Sequence, residues 1–423
     1  MDGVSYAFWV GVDWASAEHQ VCALDAERAV ILEHEYAHSG EGLAALAADL
    51  GKLSPGAPER IAVAIETPRG PVVEGLLERG FHVHAINPKQ LDRFRDRFTM
   101  AGAKDDRRDA RVLAHSLSTD RGCFRRLELD SPTVIQLREL SRIDEELGQE
   151  RNRLTNRLRE QLHRYYPQLL ELCPAADEAW LWALWELAPT PARGAKQRVD
   201  RVRRLLREGR IRRLSAEAVC ATLRQPALVI APGAAEAAIA HIALLLPRLR
   251  LVVAEREQCA TRIEQLLAAL EAEPGQHDEH RDVQILRSLP GVGRAVAATM
   301  LAEASQALAA RDYHALRAIS GAAPITRQSG KSARVLMRRG CNGRMRNAVY
   351  HWARVCMMMD GHWRARYVAL RARGQSHGRA LRAIADRLLA RLVAMLREGT
   401  LYDPARARAG ARVQAASRQA ALA

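Results

Sequence analysis

Apolar and polar positions alternate in short blocks over the first quarter of the chain. FWVGVD, HQVCALD and AVILEHEY are rich in β-forming residues and separated by a few polar ones, which predicts three consecutive strands from residue 8. GLAALAADLGKL then reads as a helix, a Pro- and Gly-containing loop follows, and RIAVAIE reads as a fourth strand. A helix near 71–79, a fifth strand in FHVHAIN, a helix from about Pro88 and another beginning near Lys104 complete the region. A three-strand meander followed by alternating helix and strand predicts a layered α/β domain.

The pattern changes from about 130 to 272, where strands vanish. Leu137, Leu140, Leu147, Leu154 and Leu158 follow a 3,4 spacing interrupted by Asp144 and Arg151. Leu249, Val252, Cys259, Ile263, Leu266 and Leu270 follow another, interrupted by Arg256. These spacings predict long helices that pair within one chain or across a dimer seam, and periodicity does not choose between the two. Between them, EAWLWALWELAPTPARG and VDRVRRLLREGRIRRL read as a helical insertion with a basic face, either solvated or binding. A polar linker with His277 and His280, too few ligands for a metal, precedes a compact helical region from 283 to about 398, and a basic low-complexity tail follows. The resulting division is 1–125 for the α/β domain, 126–275 for the coiled-coil-like middle, 276–400 for an all-α C-terminal domain and 401–423 for a disordered tail.

Charge changes the picture most. The 423 residues carry a formal charge of +15 and a pI near 10.1, so polyanions, and nucleic acid first among them, are the expected partners. The hydrophobic fraction of 48% supplies several cores, while no long uninterrupted apolar run or basic leader is evident, so a cytoplasmic protein without a membrane span is expected. Seven scattered cysteines with no C-x-x-C pair exclude a disulfide framework and a zinc ribbon.

The element order of the first domain is that of a ribonuclease-H-like fold, and it gives the acids a meaning. Asp13 ends the first strand and Glu66 ends the fourth; in that fold the two strands are neighbours. KDDRRDA opens a helix, with Asp106 and Asp109 on one face at i, i+3 and Asp105 a rival to Asp106 on spacing alone. Four carboxylates so arranged suit Mg2+, with Mn2+ an acceptable substitute, and phosphodiester chemistry. Each acid alone reads more readily as a turn former or a helix-dipole partner than as a metal ligand, and only the four together reverse that preference.

Near the other end, ILRSLPGVGRAVAATMLAEA has the form of a helix-hairpin-helix, in which Gly291 and Gly293 would admit a phosphate to backbone N–H groups. Next comes ITRQSGKSARVLMRRGCNGRMR, with Arg327, Lys331, Arg334, Arg338, Arg339, Arg344 and Arg346 as candidate phosphate contacts. Ser329 sits among them with no nearby histidine to act as base, so on local chemistry it is a phosphate contact rather than a nucleophile.

VGVDWAS, AIETPRG, KDDRRDA, LPGVG, GAAPITRQSGKS and RRGCNGRMRNA together resemble the DEDD insertion-sequence transposases that recombine DNA under a bridge RNA. The resemblance implies a metal-binding tetrad of Asp13, Glu66, Asp106 and Asp109, and a serine nucleophile at Ser329, ahead of Ser332 and Ser320. It further implies a covalent phosphoserine–DNA intermediate, donor and target DNA with a guide RNA as partners, a homo-oligomer (dimer or tetramer), and action at the bacterial nucleoid. Competing readings are a nuclease or junction resolvase using the acids and water alone, a non-catalytic nucleic-acid-binding protein, and an actin-like ATPase, for which Trp14-Ala15 poorly replaces a Gly-rich turn.

Overall fold

A computed structural model describes residues 4–98, 105–272, 279–330 and 332–404. The chain divides into two compact units, Met1–Ser131 and Pro132–Ala423.

The first unit is built on strands β1 (Phe8–Trp14), β2 (Glu18–Leu24), β3 (Val30–Ala37), β4 (Ile61–Ile65), β5 (His82–Ala85) and β6 (Arg125–Arg126). Their order in the sheet is β3-β2-β1-β4-β5-β6. β1 pairs antiparallel with β2 and parallel with β4, as the meander followed by crossovers requires. The five expected strands are all present; β6 is a sixth, two residues long and too short to leave a pattern. Its helices are α1 (Gly40–Leu53), α2 (Pro71–Glu78), α3 (Pro88–Phe98) and α4 (Asp106–Thr119).

Alternation along the strands sorts the two faces. Val10, Val12, Val21, Ala23, Val63 and Ile65 pack with Leu46 and Leu50 of α1 and with Val72, Val73 and Leu76 of α2. Ala62 and Ala64 turn to the opposite face, where Leu91 and Phe94 of α3 and Val112, Leu113 and Leu117 of α4 close a second core. Cys22 and Leu24 meet Ala110 and Ala114 of α4 on that same face.

The second unit runs through α5 (Pro132–Tyr165), α6 (Gln168–Leu172), α7 (Ala179–Leu187), α8 (Pro191–Ala195), α9 (Val199–Glu208), α10 (Ala216–Leu223) and α11 (Ala234–Ala272). It continues with α12 (Glu279–Ser288), α13 (Arg294–Glu303), α14 (Ser305–Ala309), α15 (Tyr313–Ile319), strands β7 (Ile325–Ser329) and β8 (Ser332–Leu336), α16 (Gly343–Met359), α17 (Gly361–Ala372) and α18 (His377–Glu398).

α5 and α11 pair within the chain, which answers the hairpin-or-seam question for this seam. Leu140 accepts from Cys259, Asp144 pairs with Arg256 at 3.1 Å, and Glu150 lies 3.8 Å from Arg248, so the helices run antiparallel. The charged interruptions of the two leucine patterns are therefore each other's partners, while Arg151 turns aside to Asp177 at 2.8 Å. Ala234–Glu271 is long and apolar enough to cross a membrane by length and composition, although Arg248 and Arg250 interrupt it, so the expected lack of a long uninterrupted apolar run still holds. In this fold its Ile242, Leu245, Leu246 and Leu249 are instead buried against Leu154, Leu158 and the α6–α10 helices.

The C-terminal region is mostly helical but not all-α. β7 and β8 form an antiparallel hairpin in which Ser329 faces Ser332 across a two-residue connection. Gly330 takes φ +54°, the left-handed backbone that tight hairpin turns demand. The strand signal was hidden because both strands are exposed and carry Arg, Gln and Ser where a half-buried strand would alternate with apolar residues.

Candidate active site and nucleic-acid interface

The geometry of the acids follows from register. β1 and β4 pair from Phe8 with Ile61 through Val12 with Ile65, so Asp13 and Glu66 are the next residues along two neighbouring parallel strands. Alternation puts Asp13 on the α4 side of the sheet with Gly11, and Glu66 follows directly after the neighbouring strand, about 4.8 Å away. The shared location is the C-terminal end of two parallel strands, an edge where ligands commonly bind in α/β sheets.

Gly11 brings the remaining acids to that edge. A Cβ built on Gly11 would fall 1.9 Å from the Ala110 carbonyl oxygen and 2.7 Å from the Ala114 nitrogen, so α4 lies directly on β1 only because position 11 has no side chain. Asp109 precedes Ala110 and is therefore delivered to the Gly11–Asp13 face, where it is 2% exposed. Asp106 lies one turn earlier on the same side of α4 and is exposed. Asp105 serves instead as the N-cap of α4, its carboxylate accepting from the Arg107 N–H at 3.2 Å.

One residue of this site escaped sequence reasoning. Arg95 of α3 donates from Nε and Nη2 to the two carboxylate oxygens of Asp109, each at 2.7 Å, and from Nη1 to Asp92 at 2.6 Å. Its pKa is raised, chiefly by the Asp109 hydrogen bond, with Asp92 and Glu66 adding in the same direction against the effect of burial. Within LDRFRDRF it looks like any charge on an amphipathic helix, and no spacing rule links it to an acid 14 residues away.

The donor set fits a hard divalent cation. All four candidates are oxygen donors, the type such a cation takes, but both oxygens of the buried Asp109 carboxylate are held by Arg95, which would have to release one for Asp109 to ligate. The cluster of Cys173, Asp177 and Glu178 in the second unit has ligand atoms within 4.8 Å of one another, but Arg151 and Arg213 already hold its acids.

In the second unit the basic candidates separate by role. Arg327 lies opposite Arg334, and Ser329 opposite Ser332, so period-two alternation puts all four on one face of the exposed hairpin. Like charges directly opposed are destabilising unless an anion lies between them. Ser320, by contrast, is buried at the end of α15 and bonds the Arg317 carbonyl at 3.4 Å. Lys331 lies outside the described residues, as do His277 and the tail from 405, and the side chain of His280 is likewise not described.

Arg338 donates to the Ala323 carbonyl at 3.3 Å, whereas Arg339 is exposed. Arg346 is half-buried and lines a cavity of about 270 Å3 with Ser320, Met337, Tyr350 and Arg382. Arg344, expected to contact phosphate, is occupied internally instead. It pairs with Glu145 at 2.8 Å and Glu303 at 3.1 Å and donates to Ser141 at 2.9 Å, tying α16 to α5 and α13.

Gly291 is also put to internal use. It takes φ +79°, and a Cβ there would come 3.0 Å from the Cys356 nitrogen of α16, so its close approach is to the chain itself. The Pro290 carbonyl accepts from Trp352 at 3.0 Å and from Cys356 at 2.8 Å, fixing the turn on α16. Gly293, the N-cap of α13, has open space where a Cβ would stand.

Both candidate regions coincide with known sequence families. Residues 10–167, which hold the acids, match the DEDD transposase model of IS110 elements. Residues 283–368, which hold the serine hairpin, match the transposase model of the IS116/IS110/IS902 family. The "Putative transposase y4uE" of Sinorhizobium fredii is 56% identical over 221 residues, 52% of this chain and 61% of that relative, so the match spans less than two thirds of it. The "Mini-circle putative transposase for IS117" of Streptomyces coelicolor is 30% identical over 411 residues, 95% of this chain and 97% of the relative. An IS110 protein of the same organism, described as uncharacterized, is 31% identical over 72% of its length. Two family models in chain order and a relative matched nearly end to end lead to one conclusion: the chain belongs to the IS110/IS116/IS902 family of transposases.

Proposed function

We propose that the chain is an RNA-guided DNA recombinase in which Ser329 is the nucleophile and Asp13, Glu66, Asp106 and Asp109 form a divalent-metal site. The observation that carries the serine assignment is the shared hairpin face of Ser329, Ser332, Arg327 and Arg334, two hydroxyls beside two guanidinium groups that have no acid opposite them. A phosphodiester seated there relieves the arginine repulsion and lies beside the hydroxyls. Asp13, Glu66, Asp106 and Asp109 would hold Mg2+, which when bound supplies Lewis-acid stabilisation of phosphoryl charge.

In the proposed step the Ser329 Oγ gives up its proton to water and bonds to phosphorus. The phosphorus–oxygen bond to the departing strand breaks, and that strand's oxygen takes a proton. One phosphodiester is exchanged for another, so reversal with a different strand end rejoins DNA without an external energy source. Arg327 and Arg334 hold the non-bridging oxygens throughout. Selection of donor and target DNA by base pairing to a guide RNA, assembly as a dimer or tetramer, and a cytoplasmic site of action complete the reading; these rest on the sequence resemblance.

Incubation with Mg2+, candidate guide RNA and DNA, followed by a denaturing gel, tests the proposal. A protein–DNA adduct is expected from the wild type and from Ser332→Ala but not from Ser329→Ala. An adduct that survives Ser329→Ala refutes the nucleophile assignment, and cleavage by the wild type with no adduct favours the acids-and-water nuclease.

A further inference from the structure

Residues 193–213 hold ten Arg or Lys and two acids, a net +8 within 21 residues of a chain whose whole formal charge is +15. The segment belongs to the lobe between α5 and α11, which neither the acids nor the serine hairpin uses. Its helix α9 buries Val202 and Leu206 in the lobe core. At 100° per residue Arg204 lies about 160° from both, with Arg201 and Arg207 flanking it by about 60° on either side. All three are exposed.

Charge pairing leaves most of this surface unsatisfied. Arg203 is held by Asp200 and Glu217, each at 2.6 Å, and Arg213 by Glu178 at 2.6 Å. Arg193, Lys196, Arg198, Arg201, Arg204, Arg207, Arg210 and Arg212 have no ion-pair partner among the described residues. The surface is also rigidly mounted, because Gly209 packs at the end of α9 against Trp180, where a Cβ would come 2.9 Å from the Trp180 Cβ.

Arg210 supplies an independent observation. The Ile211 N–H bonds the Leu206 carbonyl at 2.8 Å and the Arg210 N–H bonds the Arg207 carbonyl at 3.0 Å, the paired bonds of a Schellman helix end. The residue after the cap in that motif is left-handed and is usually glycine, yet here it is Arg210 at φ +55°. The chain accepts a disfavoured backbone to keep a guanidinium at the tip of the basic face.

We propose that the exposed face of α9 and the turn after it, Arg201, Arg204, Arg207 and Arg210, grip the phosphate backbone of a nucleic-acid duplex without reading its sequence. Trp180, Trp182 and Trp185 of the same lobe are buried, so the lobe offers guanidinium groups and no aromatic platform for unstacked bases. DNA and RNA duplexes share the chemistry recognised.

Fluorescence anisotropy of the full chain in EDTA, with labelled duplex DNA, duplex RNA and single strands of about 30 nucleotides, tests this. In the variant Arg201→Ala/Arg204→Ala/Arg207→Ala, duplex affinity should fall at least tenfold at about 0.1 M salt, and the slope of log affinity against log salt should flatten by about 2 to 3. Arg210→Gly should weaken duplex binding and flatten the slope by about 1 while melting no lower than the wild type, an outcome a merely structural arginine does not give. Arg248→Ala/Arg250→Ala, which removes two charges paired with Glu150 and Glu186, should leave the slope unchanged. Wild-type slopes in the triple variant, an equal loss in the control pair, or a loss confined to single strands each overturn the proposal.

Discussion

Replacing Gly11 by alanine should dismantle the acid site from beneath. The added Cβ would stand 1.9 Å from the Ala110 carbonyl oxygen, 2.7 Å from the Ala114 nitrogen and 2.8 Å from the Leu113 Cβ, whereas Cβ contacts under 3.0 Å essentially never occur. Two of these atoms are backbone, so no side-chain rotation relieves the clash and α4 must retreat by about 1 Å or more. Overpacking of this kind costs roughly 1 to 3 kcal/mol. For a unit of 131 residues that corresponds to a fall in melting temperature of roughly 3 to 15 °C. The same retreat carries Asp109 and Asp106 away from Asp13 and Glu66, and a 1 Å misplacement of catalytic groups costs about 100-fold in rate. Calorimetry of the first unit's transition and the rate of adduct formation in Mg2+ are the two readouts. Gly51→Ala, in α1 with open space around its Cβ, is the matched control and should raise stability by roughly 0.5 to 1 kcal/mol. A Gly11→Ala protein that melts with the wild type refutes the packing argument. One that melts low yet forms adduct at the wild-type rate refutes the claim that α4 delivers the acids.

Arg95→Gln removes the partner of a buried carboxylate and should destabilise the first unit in EDTA by roughly 3 to 5 kcal/mol, with Mg2+ or Mn2+ restoring more of the loss than the metals add to the wild type. Equal metal-induced shifts in melting temperature for the two proteins would show that Arg95 does not substitute for a cation. His19 is fully buried, accepts from the Ala15 N–H at 3.4 Å and contacts His38 at 2.9 Å; burial first, and His38 second, hold its pKa below the ordinary 6.5. The unfolded chain therefore binds the proton more readily, so this contribution is complete above about pH 6.5 and is lost as pH falls through the folded value. Melting temperatures of wild type and His19→Gln should converge on acidification, and parallel curves would exclude His19 as the cause.

The fold was most legible where apolar periodicity and burial coincide. The first five strands are short runs rich in β-forming residues, so their order emerged from sequence, and with it the adjacency of the strands bearing Asp13 and Glu66. The serine hairpin was not legible, because a strand exposed on both faces has no reason to alternate. Asp144, Arg151 and Arg256 appeared only as breaks in leucine patterns; that Asp144 and Arg256 meet is a property of helix register, 112 positions apart. Arg95 left no mark because its meaning lies in a pairing between two helices. LPGVG announced a tight turn correctly, but a single sequence does not distinguish a glycine that admits a phosphate from one that admits α16.

The antiparallel run of α5 and α11 has an evolutionary corollary. Chain order carries α5 out to Tyr165 and brings α11 back from Ala234, so α6 to α10 form an excursion that leaves and returns at the same end of the helical stem. An excursion whose two ends meet can lengthen, shrink or be exchanged between elements without shifting the register of the stem. Such a lobe is a cassette on which one transposase lineage can diversify while the rest of its fold stays constant.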